Sequence, residues 1–124
     1  MKLLAAAVIA TVLAPCLLGQ DRASEAEARR TIEAFFQAFN KQDVAGMRNT
    51  LQFPHIRIAS GRTTIVATPE QYKGDLAEVL KEGWRHSTLD RVEFVHSAPD
   101  KAHAAIVFSR YRADGTRYAT YRSL

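Results

Sequence analysis

The stretch Phe-Phe-Gln-Ala-Phe-Asn-Lys-Gln-Asp-Val-Ala-Gly-Met, residues 35–47, decides the fold. It continues a pattern in which apolar residues recur every three or four positions, which is the spacing of one helix face. These residues are Ala28, Ile32, Phe35, Phe36 and Phe39. Asn40-Lys41-Gln42 is expected to end that helix. Asp43 can then cap a second, short helix that has Val44 and Met47 on one face. The stretch therefore predicts a first helix, a corner and a short second helix.

The segments on either side of this stretch supply the next elements. Upstream, Ser24 and Glu27 have the spacing of a capping box, so we expect the first helix to start there. Downstream, Pro54 blocks further helix, and residues 53–59 are typical of a strand. The turn signal Ser60-Gly61 leads into the β-branched residues 63–66, which predicts a hairpin.

The rest of the chain predicts one more helix and then strands. Thr68-Pro69-Glu70-Gln71 has the features of a helix start, and this third helix should stop near Gly83. Three strands are expected to follow, over residues 91–98, 102–112 and 117–124, and Asp114-Gly115 should form the turn between the last two. The order of elements predicts an α+β fold with helices on one face of an antiparallel sheet.

Composition restricts the class of protein. The 124 residues suffice for one domain, and 47% hydrophobic and 24% charged residues exclude disordered, coiled-coil and collagen-like chains. The formal net charge of +4 is too small and too dispersed to predict nucleic-acid binding. Cys16 is the only cysteine, so the chain can form no internal disulfide.

Residues 1–20 have the pattern of a secretory signal peptide. Lys2 precedes an apolar run from Leu3 to Leu13, which Pro15 ends. A membrane span needs about 20 apolar residues, so no stable span is expected. We expect export to the periplasm or the medium, with a folded domain over residues 21–124. Alternatively, Leu13-Ala14-Pro15-Cys16 resembles a lipobox, which would make the protein a lipoprotein attached through Cys16.

Residues 35–47, together with the order of elements, resemble the nuclear transport factor 2-like superfamily, which includes polyketide-cyclase-like and ketosteroid-isomerase-like proteins. The resemblance implies a cone-like, curved antiparallel sheet wrapped around a long N-terminal helix, with three helices and a pocket for a small hydrophobic molecule. It also implies that a homodimer can form through the sheet face. The superfamily usually has one more strand after the one that ends here at Leu124, so we expect the chain to be C-terminally truncated.

The same resemblance argues against one known reaction. Ketosteroid-isomerase-like members use a tyrosine in the first helix and an aspartate at the end of the first strand. An ungapped match through Asn40 and Asp43 puts Phe35 and Ala59 at these positions. Because phenylalanine donates no hydrogen bond and alanine accepts no proton, isomerase chemistry of that kind is not expected.

Seven residues are candidates for a ligand pocket: Phe36, Phe39, His55, Arg57, Trp84, Tyr111 and Tyr121. His55 is the candidate catalytic base, because imidazole titrates near neutral pH. Strand alternation puts His55 and Arg57 on one face and Ile56 and Ile58 on the other, so the first pair faces solvent if the isoleucines face the core. The aromatic candidates could equally be sheet packing. The last hairpin carries four cations that are expected to form a solvated face, or alternatively to bind an acidic ligand or a membrane headgroup: Arg110, Arg112, Arg117 and Arg122.

The sequence contains no cofactor-binding or metal-binding motif, and we expect neither a cofactor nor a metal. The prediction for function is a small-molecule-binding domain. Two alternatives stay open, namely a cofactor-independent lyase or isomerase acting on a small hydrophobic substrate, and a protein-interaction module.

Overall fold

A computed structural model describes residues 21–59 and 61–124. The expected signal segment, residues 1–20, lies outside the described residues, as does Ser60 of the predicted turn. The elements follow in this order: α1 (Arg22–Asn40), α2 (Val44–Asn49), β1 (His55–Ala59), β2 (Arg62–Val66), a single 3₁₀ turn (Pro69–Gln71), α3 (Leu76–Lys81), β3 (His86–Ala98), β4 (Lys101–Tyr111) and β5 (Arg117–Ser123).

The described strands form two antiparallel sheets. One is the hairpin β1-β2, and the other has the order β3-β4-β5. In the three-stranded sheet, Leu89 lies opposite Phe108, which in turn lies opposite Tyr121. The α+β class, the long first helix and the three helices are therefore confirmed.

The start of α1 differs from the prediction. The helix begins at Arg22, and the Oδ1 atom of Asp21 accepts a hydrogen bond from the backbone N–H of Ser24 at 2.9 Å. The predicted capping box at Ser24 and Glu27 is wrong, because Ser24 already lies inside the first turn. An aspartate caps a helix as well as serine does, and its negative charge also favours the helix N-terminus.

The corner after α1 forms as predicted. Gln42 adopts a left-handed conformation with φ of 57°, and the Oδ1 atom of Asp43 accepts a hydrogen bond from the N–H of Gly46 at 2.9 Å. A Cβ atom at Gly46 would lie 2.5 Å from the second carboxylate oxygen of Asp43, so the corner requires glycine here. The turn directs Met47 into the core, where it is fully buried.

The third helix is shorter than predicted. Thr68 makes no capping hydrogen bond through its side chain, and the Oε1 atom of Gln71 instead accepts one from the N–H of Ala67 at 3.0 Å. The segment therefore forms only the 3₁₀ turn Pro69–Gln71 and does not continue as an α-helix. Gly74, with φ of 65°, then breaks the chain direction before α3 starts at Leu76.

The core joins the helices to the start of β3. Its buried apolar side chains are Ala38, Phe39, Met47, Val79 and Trp84. The Asn40 amide donates to the backbone carbonyl of Ser87 at 2.8 Å and accepts from its N–H at 2.7 Å. The indole N–H of Trp84 donates to the Ser87 hydroxyl at 2.9 Å. These bonds fix the end of α1 against the sheet and so position the first helix over it.

None of the helices within the described residues is long and apolar enough to cross a membrane.

Candidate ligand-binding cleft

A cleft of about 590 Å³ lies between α1, the β1-β2 hairpin and the inner face of β4. That volume is within the range of small-molecule sites. Its floor consists of apolar side chains from α1 and β4: Ile32, Phe35, Phe36, Phe39, Ile106 and Phe108. The ring of Phe36 lies 5.4 Å from that of Phe108, so helix and sheet meet through these two residues.

An aromatic cluster forms one side of the cleft. The His55 imidazole lies edge-on to Tyr72 at 6.2 Å and to Phe53 at 6.4 Å between ring centroids. No side chain or backbone group of the described residues makes a hydrogen bond with the His55 ring. Burial, and then the negative charge of Asp75, raises the pKa of Tyr72. The Tyr72 hydroxyl therefore stays protonated at neutral pH and can donate a hydrogen bond.

An ion pair lies beside this cluster. The guanidinium of Arg57 is 3.4 Å from the carboxylate of Asp75, and both residues border the cleft. About half of each side chain is exposed, so solvent screens the pair and its contribution to stability is small.

Arg110 borders the cleft from β4 and is largely buried, with only 16% of its side chain exposed. Its Nη1 atom donates to Glu82 at 3.3 Å, and the Tyr118 hydroxyl donates to the same carboxylate oxygen. The guanidinium carbon lies 4.7 Å from the centroid of the Tyr121 ring and 5.9 Å from that of Phe108. The sequence interpretation that placed Arg110 on a solvated face is wrong. Alternation along β4 carries the missing signal, because Arg110 lies two residues after Phe108 and therefore on the same face.

The predicted pocket residues fall into two groups. Phe36, Phe39, His55 and Arg57 border the cleft. The other three predicted residues lie outside its wall: Trp84 is buried against Phe39, Tyr111 stacks on His86 at 4.7 Å, and Tyr121 stacks on Phe108 at 5.2 Å. Whether any of the seven contacts a ligand stays a prediction.

The isoleucines of β1 are not core residues. Ile56 is 58% exposed and Ile58 is 77% exposed. The face that packs more closely carries His55, which is half-buried. The interpretation that put His55 and Arg57 on the solvent side because the isoleucines face the core therefore does not apply to this strand.

The opposite face of β4 carries a separate polar network. Ser109 is fully buried, and its hydroxyl donates to Asp90 at 2.5 Å. Thr88 donates to the other carboxylate oxygen of Asp90 at 2.6 Å. These two hydrogen bonds lower the pKa of Asp90. Asp90 is absent from the cleft wall, so it provides no carboxylate partner for His55.

The chemistry available in the cleft follows from these contacts. The match to ketosteroid-isomerase-like proteins puts Phe35 at the donor position and Ala59 at the base position, and Phe35 indeed borders the cleft. Within the described residues, no three histidine, cysteine or acidic side chains come together as a metal-binding group. The arrangement is suited to holding an apolar molecule and to donating hydrogen bonds at its polar side.

Comparison with known families agrees with this architecture. A family model described as NTF2-like protein (DUF6841) matches residues 24–124. The chain belongs to this NTF2-like family. The resemblance inferred from residues 35–47 is thereby confirmed. Neither a curated protein nor a solved structure matches the chain.

Proposed function

We propose that this NTF2-like domain is an exported binding domain that holds a small apolar molecule in the cleft without transforming it. The observation that carries the proposal is the cleft of about 590 Å³ with its phenylalanine and isoleucine floor. Apolar surface of this kind binds a ligand of matching shape through removal of both surfaces from water.

Binding is preferred to catalysis because proton transfer needs more than a cavity. A general base must reach the substrate and is usually oriented by a second group. His55 borders the cleft, but its ring contacts are the aromatic rings of Phe53 and Tyr72. Tyr111 and Asp90, which could have oriented it, make contacts elsewhere.

Binding can be tested with N-phenyl-1-naphthylamine, a neutral apolar dye whose emission rises in apolar surroundings. We expect the domain to enhance its emission, and 1-decanol to displace it. Thr31 is exposed and borders the cleft, so the substitution Thr31→Trp extends an indole into the space that the dye needs. Crowding of this size costs about 1–3 kcal/mol, so dye binding should weaken by about tenfold.

The matched control is Ala34→Trp, which adds the same side chain at an exposed position of α1 outside the cleft wall. It should leave dye binding unchanged. Equal binding by both variants would show that the dye occupies another surface, and absence of dye binding by the unmodified domain would contradict the proposed function.

A further inference from the structure

We propose that the ligand of the cleft is an organic anion, with a carboxylate that pairs with Arg110 and a hydrocarbon body that lies along Phe36 and Phe108. This inference rests on the proposed function and names the class of ligand. The observation that supports it is the position of the largely buried cation Arg110 beside the apolar floor of the cleft.

Arg110 is incompletely paired by the described residues. Its single ion pair, with Glu82, uses Nη1 at 3.3 Å. The buried Nε has no hydrogen-bond partner among the described residues. The Tyr118 hydroxyl lies beside the same guanidinium and interacts with it as well as with Glu82. Arg110 borders the cleft, whereas Glu82 is not part of the cleft wall and is 48% exposed. Arg110 therefore borders the cleft with one carboxylate partner at 3.3 Å, and a guanidinium with five N–H donors can accommodate a second carboxylate.

The charge of the cleft wall also favours an anion. Its described residues include three cations, Arg57, Lys73 and Arg110, and one carboxylate, Asp75. Asp75 already pairs with Arg57 at 3.4 Å. Counted over the side chains of the wall alone, positive charge exceeds negative charge, and the Glu82 carboxylate beside Arg110 offsets part of this excess. The remaining positive charge attracts a negatively charged ligand and disfavours a cationic one.

Arg110 is a stronger site for the carboxylate than Arg57. About half of the Arg57 side chain is exposed, so water screens its charge and Asp75 competes for it. Only 16% of the Arg110 side chain is exposed, and the Tyr121 ring supports its guanidinium plane. A charge-assisted hydrogen bond is stronger where water is excluded.

The spacing along β4 matches an amphiphile. Residues two apart on a strand lie on the same face, about 7 Å from each other. A carboxylate at Arg110 therefore places the attached hydrocarbon over Phe108 and toward Phe36, whose ring is 5.4 Å from that of Phe108. The head group and the body of one small molecule can be bound together.

The test compares decanoate with 1-decanol, which have the same alkyl chain and differ in the charge of the head group. Binding of each compound to the full chain is measured by titration calorimetry at neutral pH. Each compound is kept below the concentration at which it forms micelles. We expect decanoate to bind about tenfold more tightly, the factor that a charge-assisted hydrogen bond provides. Decylammonium should bind more weakly than 1-decanol.

Four variants assign the effect to a residue, namely Arg110→Gln, Arg112→Gln, Glu82→Gln and Arg57→Gln. Arg110→Gln should remove the preference for decanoate over 1-decanol. Arg112→Gln is the matched control, because Arg112 lies over the Tyr118 ring and outside the cleft wall, and it should retain the preference. Glu82→Gln removes the competing charge but keeps an acceptor for Tyr118, so it should bind decanoate more tightly. This last variant tests the inference even if Arg110→Gln fails to fold.

The outcomes separate the inference from the proposed function. Equal affinity for decanoate and 1-decanol would overturn the anion proposal and leave the apolar binding site intact. Loss of the preference in Arg57→Gln instead of Arg110→Gln, or an unchanged decanoate affinity in Glu82→Gln, would also overturn it. If neither compound binds, both the inference and the proposed function are contradicted.

Discussion

At the scale of single residues, Ser109 links the buried interior of the sheet to an exposed carboxylate. Its hydroxyl donates to Asp90 at 2.5 Å and lies 3.0 Å from the Thr120 hydroxyl. The bond from Ser109 is the first cause of the lowered pKa of Asp90, and the bond from Thr88 is the second. Both bonds favour the ionised carboxylate, so they are strongest in the state that exists at neutral pH.

The substitution Ser109→Ala should therefore raise the pKa of Asp90 toward its ordinary value. A carboxyl whose pKa is lowered by folding stabilises the folded state above the unfolded-state pKa, and that contribution is lost as the pH falls through the folded-state pKa. The variant should consequently show a smaller loss of stability on acidification. Titration of the Asp90 carboxyl carbon by NMR measures the pKa, and urea unfolding at several pH values measures the stability.

Ser97→Ala is the control for this prediction. Ser97 is also a buried serine of the sheet, but its hydroxyl donates to Glu25 at 2.9 Å. The Asp90 titration should be the same in this variant as in the unmodified protein. An Asp90 pKa that does not move in Ser109→Ala would show that this bond does not control the carboxyl.

At the scale of elements, α1 presents two phenylalanines that differ in burial. Both border the cleft, but Phe39 is only 8% exposed and packs on Trp84 at 4.9 Å, whereas Phe36 is half-buried. Phe39→Ala should cost about 3–5 kcal/mol, because it opens a cavity in the core. Phe36→Ala should cost roughly 1–2 kcal/mol, in proportion to the apolar area that it loses. Urea unfolding of the two variants measures both values, and a larger loss for Phe36 would contradict this orientation of α1.

The local signals for helices predicted some boundaries and missed others for physical reasons. Asp43 caps α2 as predicted, and its side chain accepts a hydrogen bond from the N–H of Gly46. At α1, Asp21 caps the helix three positions before Ser24 by accepting from the N–H of Ser24, so Ser24 lies inside the first turn. At Thr68, local capping potential is outweighed by the bond from Ala67 to Gln71 and by the conformation of Gly74.

The cleft was less predictable than the fold, because its wall depends on contacts between distant segments. Phe36 and Phe39 were candidates from helical periodicity, and His55 and Arg57 from their side-chain chemistry on one strand face; all four border the cleft. The sequence could not show that the Trp84 ring packs into the core or that Tyr111 stacks on His86. These positions depend on how β3 and β4 pair, which sequence periodicity does not specify.

At the scale of the whole molecule, the proposal of export depends on the apolar run that follows Lys2. Leu4→Asp combined with Val8→Asp should stop the segment from acting as a signal, because charges disrupt its apolar region. The precursor should then accumulate in the cytoplasm of a bacterial host, as measured by cell fractionation and immunoblotting. Ala26→Asp, an exposed change in α1, should leave the distribution unchanged. Equal export of the double variant would contradict the proposal.

Association into a homodimer through the sheet face stays a prediction.

The packing of Trp84 has a practical consequence. It is the only tryptophan of the chain, so the intrinsic fluorescence excited at long ultraviolet wavelengths comes from a single indole. That indole is 3% exposed and touches Phe39, which borders the cleft. We expect a molecule that enters the cleft to change the electric field and the quenching around the indole through the intervening Phe39 ring. Candidate compounds can therefore be screened by the intrinsic fluorescence of Trp84 in the unmodified protein, without attaching a label.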